Sequence, residues 1–142
     1  MRIELLMTVL AGFAGGLAGT LWGGIVSYPL LARTAPSGPG NWLPESTSRL
    51  LLGAVVYGMC GAAAGFLFWL SWGLVALVAT PWYAIGLLFG ALLWAASALP
   101  ALAVLALRLR EPAHALLVLA IEVLVASLAV GLLCAYVWHR AT

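Results

Sequence analysis

The sequence predicts an all-α integral membrane protein, a four-helix transmembrane bundle with short connections and one longer loop at 32–48, forming a single domain over 1–142. Composition is the first reason. Of 142 residues, 65% are hydrophobic and only 7% charged, whereas a soluble domain is about 45–50% apolar and roughly 25% charged. So little polar material cannot cover a water-facing surface. The second reason is where the charges fall. The six Arg and four Glu sit almost entirely at the edges of long uncharged runs. The third is the length of those runs, since a helix needs about 20 apolar residues to cross a hydrocarbon core of about 30 Å.

Four spans follow in order. The first covers about 5–31, between Glu4 and Arg33. It follows Arg2 as a secretory signal would, but an uncharged run of about 27 residues far exceeds a signal core of 7–15, so a retained helix is expected. The second span covers about 50–79. Its uncharged run would measure about 45 Å at 1.5 Å per residue, so it must tilt, project beyond the hydrocarbon, or break near Ser71-Trp72-Gly73. The third covers about 82–107, ahead of Arg108, and Thr80-Pro81 reads as an N-cap followed by proline at the first helical position. The fourth covers about 113–138, with Glu111-Pro112 marking its start in a similar way.

Short links join the second span to the third and the third to the fourth, which predicts antiparallel neighbours in both cases. The segment 32–48 holds three prolines, two glycines and Asn41 and is the one real loop. Trp42, Trp72, Trp82, Tyr83, Tyr136 and Trp138 fall near helix ends, as membrane-interface aromatics do. Trp22 and Trp94 lie deeper and are expected between helices. With four spans both termini share one side, and the arginine balance places loops 32–48 and 108–111 on the cytoplasmic side.

Glycine sets the packing faces. Lipid tails supply no hydrophobic drive between helices, so small residues at four-residue spacing let backbones approach and gain dispersion contacts. Gly15 and Gly19 mark such a strip on the first span, Gly58, Gly61 and Gly65 on the second, and Gly86 and Gly90 on the third. These strips join helices of one chain or helices of two. A shift of 71 residues, half the length, places Gly15, Gly19 and Pro29 on Gly86, Gly90 and Pro100. The halves would then be parallel repeats. Pro100 should free the Ala96 carbonyl and bend the third span.

Glu122 is the one charge inside a span, about 5 Å from the middle of the fourth. An acid at that depth costs on the order of 3 kcal/mol on insertion scales, so it should face inward and have a partner or a task. Ala115, Ala126 and Ala129 share its face and give neighbours room. Tyr57, Ser97, Thr20 and the carbonyl freed by Pro100 are the candidate partners. The site is either a proton or cation site, a polar contact to a cofactor or another subunit, or a hydrogen bond between helices.

Other chemistry is thinly supplied. His114 and His139 lie about 37 Å apart along one helix, so no single haem takes both, and no cofactor is expected. No Asp is present, and the histidines are terminal, so no catalytic triad or metal site can be assembled. Cys60 and Cys134 lie at different depths and cannot be bridged. A net charge of +2 with scattered arginines excludes a nucleic-acid footprint.

Tyr28-Pro29 closing a glycine-rich first span, Val56-Tyr57-Gly58 followed by Gly61 and Gly65, Gly86 and Gly90 leading to Trp94 and Leu99-Pro100, and Glu122 in the fourth span form one pattern. As a whole it resembles the YagU-like group of small bacterial inner-membrane proteins. The resemblance implies a multi-spanning inner-membrane protein with no established catalytic activity, and it carries no site residues across. The function expected is a non-enzymatic accessory or structural subunit, packing through its glycine faces into a larger membrane complex or a homo-oligomer. The alternative is a small oligomeric transporter or channel built around Glu122. The lipid bilayer is the common partner.

Overall fold

The computed structural model describes residues 2–34, 47–75, 80–108 and 113–141, all helical apart from Thr80 and Pro81. The first span consists of α1 (Arg2–Trp22), a π turn (Gly23–Ser27) and α2 (Tyr28–Thr34), and the second is α3 (Thr47–Val75). The third consists of α4 (Trp82–Leu93), a second π turn (Trp94–Ala98) and α5 (Leu99–Arg108), and the fourth is α6 (Ala113–Ala141). Each span is long and apolar enough to cross a membrane, with mean hydropathy between 1.6 and 2.7. The chain is a multi-pass helical membrane protein, and no strand occurs among the described residues.

Helix ends depart from the sequence reading in several places. α3 runs unbroken through Ser71-Trp72-Gly73 to Val75, so no break occurs at that tripeptide. Pro81 is itself the N-cap of α4, in extended conformation, and its carbonyl accepts the N–H of Ala84 at 3.0 Å. Thr80 therefore stands one residue outside the cap, because an extended proline can supply that carbonyl itself. Helix also extends to Thr34 and resumes at Thr47, which trims both ends of the expected loop. Its remainder, 35–46, lies outside the described residues, as do 76–79 and the Glu111-Pro112 start signal.

The spans do not pack in chain order. α1 lies along both α3 and α6, and α4 lies along α6, so the first and fourth spans are central and the second and third flank them. The expected pairing of the second and third spans is therefore a correction. Phe68 and Phe89 meet edge to face at 5.0 Å, and beyond that contact the two spans part. A short link fixes only two ends, and close backbone contacts elsewhere decide where the helix bodies lie.

Those contacts occur where side chains are absent. A methyl group at Gly61 would collide with the Gly12 carbonyl, and one at Gly16 with the Tyr57 carbonyl, so α1 and α3 touch backbone to backbone. On its other side α1 presents Gly15 to the backbone of Val130 and Gly19 to the side chain of Ala126. α4 repeats this against the opposite face of α6, with Gly86 at Gly131 and Leu132 and Gly90 at Ser127 and Leu128. Glycine exchanges side-chain burial for closeness, and in lipid closeness is what binds helices. Around these seams Ala11, Ala64, Phe68, Ile85, Val130, Cys134 and Ala135 form the buried core. Outward-facing leucines such as Leu6, Leu10, Leu52, Leu88 and Leu92 are exposed.

Both prolines inside spans are accommodated by π turns. Proline at position 29 cannot donate a backbone N–H, and the Tyr28 N–H reaches back to the Gly23 carbonyl. Ahead of Pro100 the Leu99 N–H reaches the Trp94 carbonyl in the same way. The two turns, Gly23–Ser27 and Trp94–Ala98, stand at the same 71-residue offset as the glycines and prolines. Local winding thus repeats between the halves, as does the pairing of the first span with the second and of the third with the fourth, whereas the close contact of the first span with the fourth has no counterpart between the second and third.

At the face shared by the termini, Trp82 ties the start of α4 to the end of α6. Its ring meets Tyr136 edge to face at 5.5 Å and stacks on His139 at 6.5 Å. The Arg140 guanidinium lies 5.5 Å from the centre of the Tyr136 ring. Aromatic rings and a cation suit the headgroup level, where one side is apolar and the other wet.

Candidate functional site: an intramembrane carboxyl between three spans

Glu122 projects from α6 into the space between the first, second and fourth spans. The Tyr57 hydroxyl on α3 donates to its Oε1 at 2.8 Å. The carboxyl lies against Gly23, where a Cβ atom would come within 2.8 Å of Oε1 and 3.1 Å of the carboxyl carbon. Three spans therefore meet at one polar group. α6 supplies the acid, α3 the donor and the π turn of the first span a bare backbone for the acid to rest on. Gly19, one turn before Gly23, lies 3.1 Å from the Tyr57 ring by the same measure and leaves room for that ring. A hydrogen bond to a charged or polar group screened from water contributes more than one at a surface, so this contact holds the three spans in one arrangement.

Two further hydroxyls lie on the same strip of the first span. Thr20 and Ser27 flank Gly23 at three residues before and four after, spacings that place side chains on one helix face. Both hydroxyl oxygens are buried and have no hydrogen-bond partner among the described residues, and Ser27 is only 2% exposed. Buried polar atoms are nearly always satisfied. The pair is therefore the feature of this region that packing alone does not explain.

The other expected partners of Glu122 lie elsewhere. The Ser97 hydroxyl donates to the Leu93 carbonyl of its own helix at 2.6 Å, on an exposed side, and so does not reach the acid. Trp94 does pack between spans, donating its indole N–H to the Ala120 carbonyl at 3.0 Å. Replacing Trp94 with Phe should cost about 0.5–1.5 kcal/mol through loss of that hydrogen bond. Thermal unfolding in detergent measures it, with Trp69→Phe as the comparison. Cys60 is exposed and Cys134 buried, both as free thiols. The Cys134 thiol donates to the Thr8 carbonyl at 3.4 Å. His114 and His139 are exposed at opposite ends of α6.

A cleft of about 580 Å³ opens between the second and third spans over α6, lined by Tyr57, Cys60, Ala63, Ser97, Ala101 and Ser127 among others. Phe68 and Phe89 close one end of the interval in which it lies. Among the described residues no group of three or more His, Cys, Asp or Glu could hold a metal ion.

No family model, curated protein or solved structure matches the chain. Function must be argued from the geometry of this one molecule. The sequence had pointed to Glu122 through its depth and to Tyr57 as one of four candidate partners. It missed Gly23 and Ser27. The signal for Gly23 was available, since Gly15, Gly19 and Gly23 continue one four-residue spacing. The signal for Ser27 was weaker, because a lone serine ahead of Tyr28-Pro29 carries nothing without the π turn.

Proposed function

We propose that the chain is a non-enzymatic accessory or structural subunit of the bacterial inner membrane that joins a larger membrane complex or further copies of itself. The uneven cover of its spans supports this most. One third of the best apolar window of the first span is buried (33%), but only 11% of the corresponding window of the third. α4 packs chiefly along α6, and the third span leaves Leu88, Ala91, Leu92 and Ala95 as an exposed apolar strip. Small and large apolar residues mixed on one open face suit a neighbouring helix. The glycines of α1 and α3 face each other inside the chain, so in this reading the third span, and not the glycine strips, meets the partner.

The test is a native mass measurement after extraction in mild detergent. A fixed stoichiometry with another subunit or with itself is expected, and Ala95→Trp on the open strip should lower it without unfolding the chain. A monodisperse single chain under the same conditions contradicts the proposal.

A second reading, a small oligomeric transporter or channel, is favoured by one observation, the inward carboxyl of Glu122 held by the Tyr57 hydroxyl between three spans. It expects Glu122→Gln to leave assembly intact and to abolish proton- or cation-coupled flux in liposomes. Unchanged flux, or no flux in the wild type, removes it.

A further inference from the structure

We propose that the cleft between the second and third spans holds one acyl chain of a bilayer phospholipid, its methyl end against Phe68 and Phe89. The site stands whether or not the chain joins a complex, because none of Leu88, Ala91, Leu92 and Ala95 lines it.

The fold makes this space in a definite way. Gly86 and Gly90 bring α4 into close contact with the backbone of α6, but after the π turn at Trp94–Ala98 α5 carries no glycine and meets α6 much less than α4 does. On the other side α3 is held against α1 through Gly61. The walls facing the gap are small, with Ala63 and Ala64 on α3, Ala98 and Ala101 on the third span and Ala126 on α6. The cleft that results measures about 580 Å³, within the range of about 300–1,000 Å³ typical of ligand sites.

Chemistry and length select the occupant. No charged side chain lines the cleft, and the hydroxyls of Tyr57 and Ser97 on its walls are already given to the Glu122 carboxyl and the Leu93 carbonyl. A charged ligand would find no counter-charge there. Val56 and Leu67 on the α3 wall are half exposed, at 52% and 51%, so the cleft opens sideways out of the bundle. Its lining runs from Val56 to Leu67 along α3 and from Leu93 to Leu102 along the third span, about 17 Å and roughly 14 Å at 1.5 Å per residue. That is near half of the ~30 Å hydrocarbon thickness. A partner's spanning helix needs the full thickness and is stopped where Phe68 meets Phe89 at 5.0 Å. A lipid chain belongs to one leaflet and ends near the middle. In the cleft it supplies the dispersion contacts that the alanine walls lack and joins the second span to the third beyond the phenylalanine pair.

The experiment uses the full chain in phosphatidylcholine nanodiscs doped with a phosphatidylcholine that carries a diazirine near the methyl end of one chain. After irradiation, mass spectrometry is expected to find adducts on the α6 wall at Ser127 or Val130, which line the cleft and are otherwise buried. The second readout is native mass spectrometry from lipid-free micelles, where one phospholipid per chain is expected to remain. Ala63→Trp and Ala101→Trp, both at exposed positions of the rim, should keep the fold but lose the α6 adducts and the retained lipid. Leu10→Trp, exposed on α1, should keep both. Adducts confined to outward-facing leucines, or no retained lipid in the wild type, overturn the site. A retained lipid that survives in both cleft variants overturns it as well. So does a second chain in place of the lipid, with its association lost in the same two variants, which would assign the cleft to a protein partner.

Discussion

Gly61→Val is expected to unfold the chain or to reduce its stability by about 3 kcal/mol or more. At this position even the first added carbon collides with the Gly12 carbonyl. Backbone cannot move aside as a side chain can, so α1 and α3 must separate along their length. Forcing extra carbons into a well-packed contact costs about 1–3 kcal/mol even where side chains can adjust, and here the shift is transmitted to Gly16 and Gly65 in the same seam. Gly53 on the same helix is the control, because nothing lies within 4 Å of a Cβ there. Gly53→Val should behave as wild type within about 0.5 kcal/mol. Thermal unfolding followed by size-exclusion chromatography separates the two. Equal stability of the two variants would show that α1 and α3 are not in backbone contact.

Tyr57→Phe should cost about 1–3 kcal/mol, and adding Glu122→Leu to it should restore part of the loss. The reason is the asymmetry of buried hydrogen bonds. Removing one partner leaves the other desolvated and unpaired, whereas removing both leaves only apolar contact. In the wild type the Tyr57 hydroxyl donates to the Glu122 carboxyl at 2.8 Å, so the single variant strands the acid between three spans. A double variant less stable than either single one would mean that the two residues act independently and that the acid has another partner.

The limits of the sequence reading have physical causes. Where the chain crosses the bilayer was legible because charge is too costly inside it, so Glu4, Arg33, Arg108 and Arg140 punctuate the spans. Which spans touch was less legible. The link between the second and third spans is short, yet those helices part beyond Phe68 and Phe89 because Gly12 and Gly61 draw α3 to α1. Connection length constrains ends, whereas glycine placement constrains bodies. The acid at 122 was legible from depth, and Tyr57 was one of four candidate partners, among which the structure selects it. The rest of the site was not legible, since Gly23 meets the acid from within a π turn that Pro29 signals without specifying. The same turn recurs at Trp94–Ala98 ahead of Pro100, beside a Trp94 whose indole binds α6 and not the acid.

The arrangement of three spans around one inward acid is tested most directly by magic-angle-spinning NMR of the chain in lipid bilayers, with labelled glutamate and tyrosine. The account predicts a through-space cross-peak between the Glu122 carboxyl carbon and the Tyr57 ring, absent in Tyr57→Phe/Glu122→Leu. A Glu122 carboxyl that instead correlates with lipid chain methylenes, and shows no contact with Tyr57, would contradict it.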